Sequence, residues 1–269
     1  MPHESFVHLR VQSAYSMLEG AMQPKDVVKA CRKQGLPAVA ITDRNNMFGA
    51  MEFSDYAKAE GVQPIMGSLL AVERPGAGDR RAQYDWLVLL AQDEAGYANL
   101  IELVSRAHLS GDGTEEPHLK LSGLYGHTEG LLALTAGAEG ALARLLAEEQ
   151  HAAARAYLAD LEELFPDRLY LEIARCDQEV ELKSEQALIA LAYERDLPLV
   201  ATNPVAFADP SYQEAHDVML CIADGAYVET KERRRSCRHG WMKGAAAMRE
   251  LFADLPEAID NTLVVAQRC

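Results

Sequence analysis

The chain has 269 residues, enough for one large α/β barrel or two modest domains. Hydrophobic residues make up 49% and charged residues 25%, the make-up of an ordinary globular protein rather than a disordered or membrane-embedded one. A formal net charge of −15 excludes a segment that grips duplex nucleic acid unaided, because that requires a cationic surface.

Residues 6–13 read as a strand on which His8, Arg10 and Gln12 alternate onto one face. His or Asp groups on such a face would make a metal edge. Arg, however, is a permanent cation without a lone pair, and Gln is a weak neutral ligand. Pro24 starts a helix whose apolar stripe is Val27, Val28 and Cys31, and Gly35 ends it. Residues 38–42 form a buried strand, after which Asn45 or Asn46 caps a helix running to Gly61. Ile65, Met66 and residues 69–72 give the next strand, and residues 75–79 an exposed turn. Residues 86–90 are a buried strand, and Asp93 caps a helix with Tyr97, Leu100, Ile101 and Val104 at helical spacing.

A polar loop covers residues 110–117, followed by a strand at 131–135 and an Ala/Leu/Glu-rich helical stretch over 140–165. Strands at 170–173 and 199–202 flank a helix at 179–195, and helices at 211–222, 245–251 and 256–268 complete the chain. Seven strand candidates separated by helices predict a parallel βα architecture, closed or nearly closed as a barrel, with an open doubly wound sheet as the alternative. No GxGxxG follows the first strand, so no dinucleotide site is expected. The five cysteines are odd in number, scattered and without a CxxC, which predicts reduced cytoplasmic thiols rather than a disulfide framework or zinc knuckle. There is no apolar signal core, and no apolar run approaches the ~20 residues of a membrane span.

Barrels of this kind carry their chemistry at the C-terminal ends of the strands. Those ends hold Arg10 and Gln12, Asp43 and Arg44, Leu69, Gly137, Arg175 and Cys176, and residues 203–206. His8, Asp43 and Cys176 can donate to a metal; three arginines at the same mouth would repel one. The basic run at 231–239 reads as a contact with nucleic acid or with another protein region or, more simply, as a solvated loop, and His216 as a hydrogen-bonded structural residue.

The segments FVHLRVQSAYSMLEG (6–20), AITDRNNM (40–47), QPIMG (63–67), LVLLA (87–91), GYANL (96–100), VATN (200–203) and AHDVMLCI (215–222) resemble the PHP (polymerase and histidinol phosphatase) domain. The version is the one carried by bacterial replicative polymerase III alpha subunits, and the similarity extends to LFADLPEA (251–258). The resemblance implies a distorted (β/α)7 barrel, with residues 1–269 as a single domain. It also implies a longer polymerase chain whose palm, fingers and thumb lie beyond Cys269.

Metal-binding members of the family carry an HxH on the first strand, then further His, Glu, Cys and Asp ligands. By that correspondence the ligand positions here hold Arg10, Gln12, Arg44, Leu69, Trp86, Gly137, Cys176, Pro204 and Ala206, while Asp43 remains. Guanidinium groups are expected to replace the cation. Arg10 or Arg44 would pair with Asp43, and Arg175 with Glu172 or a nearby carbonyl, while Leu69 and Trp86 fill vacated space.

The expected function is that of a metal-free, non-catalytic support and docking platform in DNA replication. Its implied partners are the remainder of the polymerase chain and the proofreading exonuclease subunit, with DNA reached only through the intact polymerase. No cofactor is expected in this segment; magnesium belongs to the absent polymerase region. The alternative is a metal-dependent phosphoesterase or 3′–5′ exonuclease. A weaker one is an anion sensor using Arg10, Arg44 and Arg175.

Overall fold

The computed structural model describes residues 5–74, 83–110 and 115–269. The turn expected at 75–79 and part of the 110–117 loop lie outside the described residues. Helix α1 (Pro24–Gln34) begins on its proline and ends at Gly35, whose φ of 70° lets its N–H reach back to the Arg32 carbonyl. Strand β1 (Ala38–Arg44) leads into α2 (Ala50–Glu60), then β2 (Gln63–Glu73), β3 (Tyr84–Ala91) and α3 (Glu94–Leu109). Asp93 caps α3 through its side chain, which accepts the Gly96 N–H at 2.8 Å. Strand β4 (Leu131–Leu134), helices α4 (Ala141–Ala147) and α5 (His151–Leu164), β5 (Leu169–Ala174), α6 (Glu179–Glu194) and β6 (Leu199–Thr202) follow. The chain closes with α7 (Gln213–Asp224), α8 (Ala245–Leu251) and α9 (Pro256–Arg268).

The strands form one curled sheet in the order β1-β2-β3-β4-β5-β6. Residues 6–13 occupy the seventh place without forming a regular strand. The Ala40 and Thr42 N–H groups donate to the carbonyls of His8 and Val11, both at 2.8 Å. On the other side the Val205 N–H reaches Arg10 O at 3.0 Å, and the Gln12 N–H reaches Val205 O at 2.9 Å. The opening segment thus joins β1 to β6 through isolated parallel bridges at His8–Val39 and Val11–Val205. Val7 and Leu9 pack in the inner cluster, Phe6 and Val11 in the outer one, so the two-residue alternation breaks between Leu9 and Val11.

The sheet is not all parallel. The pairs β1–β2, β4–β5 and β5–β6 are parallel, but β3 runs antiparallel to both β2 and β4. Only ten residues separate β2 from β3, fewer than the dozen or more that a parallel crossover needs. Two helix expectations also change. Asn45 and Asn46 do not cap α2. Asn45 accepts the Ala71 N–H at 2.9 Å, and Asn46 folds the turn onto the Arg44 carbonyl and the Phe48 N–H, so the helix starts four residues later. The 140–165 stretch is two helices, broken where Glu149 takes a left-handed conformation with φ 59°.

Side chains inside the curl, including Leu69, Val88, Leu90, Leu134 and Val200, make a compact inner cluster. Val265 and Ala266 of α9 join it, and Thr262 Oγ1 accepts the Val7 N–H at 3.1 Å. The larger cluster lies between the sheet and the helices, through Phe53, Leu70, Leu100, Leu161 and Phe165. Among the described residues no helix is long and apolar enough to cross a membrane.

Candidate functional site

The strand ends converge on one mouth, and its centre is Arg10. This side chain is only 3% exposed. Its Nη1 donates to Glu172 Oε1 at 3.0 Å and to the Ala136 carbonyl at 3.2 Å, and its Nη2 forms an ion pair with Glu139. Glu172, at the inner face of β5, is fully enclosed and also accepts Thr202 Oγ1 at 2.6 Å. Arg44 follows Asp43 at the end of β1. Its guanidinium contacts Glu139 and Glu19, and its Cζ lies 4.3 Å above the Trp86 ring. Glu139 therefore sits between two arginines. Burial would raise its carboxyl, but Arg44 and Arg10 overcome that and hold it at about 2. Arg10, although desolvated, is raised by Glu172 and Glu139 and stays charged.

Asp43 is arranged differently. Its Oδ1 accepts the Ser13 N–H at 2.7 Å and Ser16 Oγ at 2.6 Å, and its Oδ2 accepts Ser13 Oγ at 2.8 Å. Among the described residues no arginine pairs with it, contrary to the expectation that Arg10 or Arg44 would. The reason is local. The 13–22 turn folds its hydroxyls onto the β1 end, with Gly20 so close that a Cβ there would lie 1.9 Å from the Ser13 carbonyl oxygen. Burial raises the Asp43 carboxyl, and the serine hydrogen bonds only partly offset it.

Arg175 meets one arm of the expectation, a backbone carbonyl, and not the other. It pairs with Glu185 at 2.8 Å and Asp254 at 2.6 Å, donates to the Leu251 carbonyl at 2.6 Å, and lies over Phe252. A carbonyl partner is present, but Glu172 belongs to Arg10. His8 does not share a working face with Arg10. It lies against Phe6 and donates from Nε2 to the Lys243 carbonyl at 2.8 Å. Burial lowers its imidazole to about 4, so it is neutral, with Nδ1 unpartnered.

Leu69 is fully buried in the inner cluster and Trp86 packs beside it. Gly137, with φ 51°, opens the short turn that carries Glu139, and a Cβ there would meet Ala174 Cβ and Glu172 Oε1 at 3.6 Å. Gln12, Cys176, Pro204 and Ala206 line an open cavity of about 490 Å³ beside the arginine network. Its far wall is the loop after α7, with Cys237 and His239. His216 is held at both nitrogens, 2.7 Å from Ser236 Oγ and 2.7 Å from the Glu19 carbonyl. Within the basic run, Arg233 pairs with Asp217 at 2.5 Å and Arg234 with Asp224 at 2.9 Å.

The PHP domain model matches residues 8–176, well over half of the chain. The chain belongs to the PHP family. Its relatives include the DNA polymerase III subunit alpha of Caulobacter vibrioides, 47% identical over 99% of this chain, and that of Escherichia coli, 37% identical over 100%. In both cases the chain spans 23% of the relative's length. Among solved structures, an amidohydrolase from Chromobacterium violaceum aligns with 74% of this chain and 87% of its own, at 14% identity and a TM-score of 0.49.

As a PHP domain, this one has a donor set that does not fit the metal of the family's metal-binding members. Arg10 offers only donors and fills the centre of the mouth, while Leu69, Gly137, Pro204 and Ala206 bring no ligand side chain. The Asp43 oxygens are turned toward the Ser13 and Ser16 groups. Among the described residues, no group of three or more His, Cys, Asp or Glu side chains is placed to hold an ion. Sequence reasoning missed Glu139, Glu19 and the serine cradle. The available signal for Glu139 was its place just beyond the end of β4, on the same mouth as the arginines.

Proposed function

We propose that this chain is the PHP portion of a replicative DNA polymerase alpha subunit, metal-free and non-catalytic, serving as structural support and docking platform. The partners proposed are the remainder of a polymerase chain and the proofreading exonuclease subunit. DNA is engaged only through the intact polymerase, whose nucleotidyl transfer belongs to other parts of the chain. The observation that carries this reading is the enclosed Arg10 bridging Glu139 and Glu172, because a fixed guanidinium supplies the positive charge that carboxylates in a partly dry mouth require. The relatives' shared name supports the replicative setting.

The test has two arms. The chain is incubated with Mn²⁺ or Zn²⁺ and either a single-stranded oligonucleotide or a chromogenic phosphate ester, and the expected result is no turnover. Turnover abolished by Asp43→Ala would instead establish a metal-dependent phosphoesterase or exonuclease. In the second arm, the cognate exonuclease subunit is mixed with the chain and followed by size-exclusion chromatography. Co-elution is expected, and separate elution at micromolar concentrations counts against the docking role.

A further inference from the structure

Two thiols from distant parts of the chain meet at the cavity beside the arginine network. Cys176 follows β5, and Cys237 lies in the loop between α7 and α8. The Cys237 thiol donates to the Cys176 carbonyl at 3.5 Å, which puts the two residues in direct contact, and both line the same cavity. Their settings differ. Cys176 is buried, and its backbone N–H is fixed by Glu181 Oε2 at 2.7 Å. Cys237 is half-buried, opens onto the 490 Å³ cavity, and receives the His239 N–H on its sulfur at 3.3 Å.

We propose that Cys237 and Cys176 form a peroxide-sensitive dithiol, with Cys237 as the attacking sulfur and Cys176 as its resolving partner. The asymmetry sets the roles. Cys237 is the more exposed sulfur and receives the His239 N–H, a contact that favours its thiolate, whereas Cys176 is buried. Burial disfavours the Cys176 thiolate, which suits it to the resolving role. A solvent-reachable thiolate next to a protonated thiol is the arrangement that favours sulfenic acid capture.

In the first step the Cys237 thiolate attacks one oxygen of hydrogen peroxide. The O–O bond breaks, the departing hydroxide takes a proton to become water, and Cys237 is left as a sulfenic acid. Cys176 then gives up its proton and attacks the Cys237 sulfur. The S–O bond breaks and a second water leaves, so two thiols become one disulfide as one peroxide becomes two waters. The bond would tie the α7–α8 loop to the β5–α6 turn across the mouth of the cavity.

The test treats the 269-residue chain with hydrogen peroxide, blocks free thiols with N-ethylmaleimide and maps peptides without reduction. A Cys176–Cys237 peptide reversed by dithiothreitol is expected to dominate. Cys237 sulfinic acid without that link, or links through Cys31, Cys221 or Cys269, would overturn the proposal. A second measurement needs no variant. Iodoacetamide should label Cys237 fastest of the five. Equal labelling of Cys237 and Cys269 counts against it. In Cys237→Ser, with the circular dichroism spectrum unchanged, oxidation of Cys176 should slow about tenfold or more. Oxidation of Cys176 at the wild-type rate would also overturn the assignment.

Discussion

Two carboxylate sites share the mouth of this barrel and are stabilised by opposite means. Asp43 is held by neutral donors, three hydrogen bonds from Ser13 and Ser16, and its carboxyl is raised. Glu139 and Glu172 are held by cations, Arg10 for both and Arg44 for the first. The neutral arrangement is built from a turn that folds directly onto β1. The cationic one spans 129 residues from Arg10 to Glu139 and 162 from Arg10 to Glu172, so it exists only when the sheet curls shut. One site is therefore a piece of local structure, and the other reports closure of the barrel.

The largest expected effect follows from that difference. Arg10→Met should destabilise the chain by about 3–5 kcal/mol, because it strands an enclosed carboxylate at Glu172 whose second oxygen is already unpartnered. Asp43→Asn keeps an acceptor toward the Ser13 amide and removes a charge that burial disfavours, so its cost should stay below about 1 kcal/mol. Urea unfolding of both variants checks this at pH 7. Equal losses would erase the distinction between the two sites.

Acid unfolding sharpens the same contrast. Glu139 has a folded value of about 2, below the ordinary 4.5, so its contribution is complete above about 4.5 and disappears as pH falls toward 2. Asp43 has a raised folded value, so its contribution runs the other way: present below the ordinary 3.8 and lost as pH rises through the folded value. Glu139→Gln should flatten the stability loss between pH 4.5 and 2, with a lower plateau at pH 7. Asp43→Asn should leave that loss at least as steep as in the parent. Urea midpoints at pH 7, 4.5 and 3 distinguish the two, and an unchanged acid slope in Glu139→Gln would show that Arg10 and Arg44 do not set the Glu139 ionisation.

Much of the barrel was legible because its strands are runs of Val, Ile, Leu and Ala bounded by Gly, Asn and Pro, with amphipathic helices between them. The placing of Arg10 and Arg44 at the mouth followed from the same reading, since both lie at strand ends. Their partners did not follow. Glu139 stands in a three-residue turn between β4 and the stretch read as a helix from residue 140, so it was passed over as a connection. Nothing at Glu149 marks the α4–α5 break either: a non-glycine residue in a left-handed conformation leaves no compositional trace. The reversal of β3 was hidden because strand direction depends on what fills the connection, not on the strand's own residues.

The smallest predicted effect concerns the rim, where the Arg44 guanidinium sits over the Trp86 ring. The Arg44 side chain is 20% exposed against 3% for Arg10, so water screens its pairs with Glu19 and Glu139. What remains distinctive is the 4.3 Å stack, a contact of about 0.5–2 kcal/mol depending on desolvation. Trp86→Leu should therefore cost about 1–2 kcal/mol, combining lost apolar area with the lost cation–π contact. A double-mutant cycle with Arg44→Met isolates the second part, and a coupling of about 0.5–1 kcal/mol is expected. Coupling near zero would make Trp86 a spacer that fills volume beside Leu69. Coupling as large as the Arg10→Met loss would move the electrostatic centre of the mouth from Arg10 to the rim.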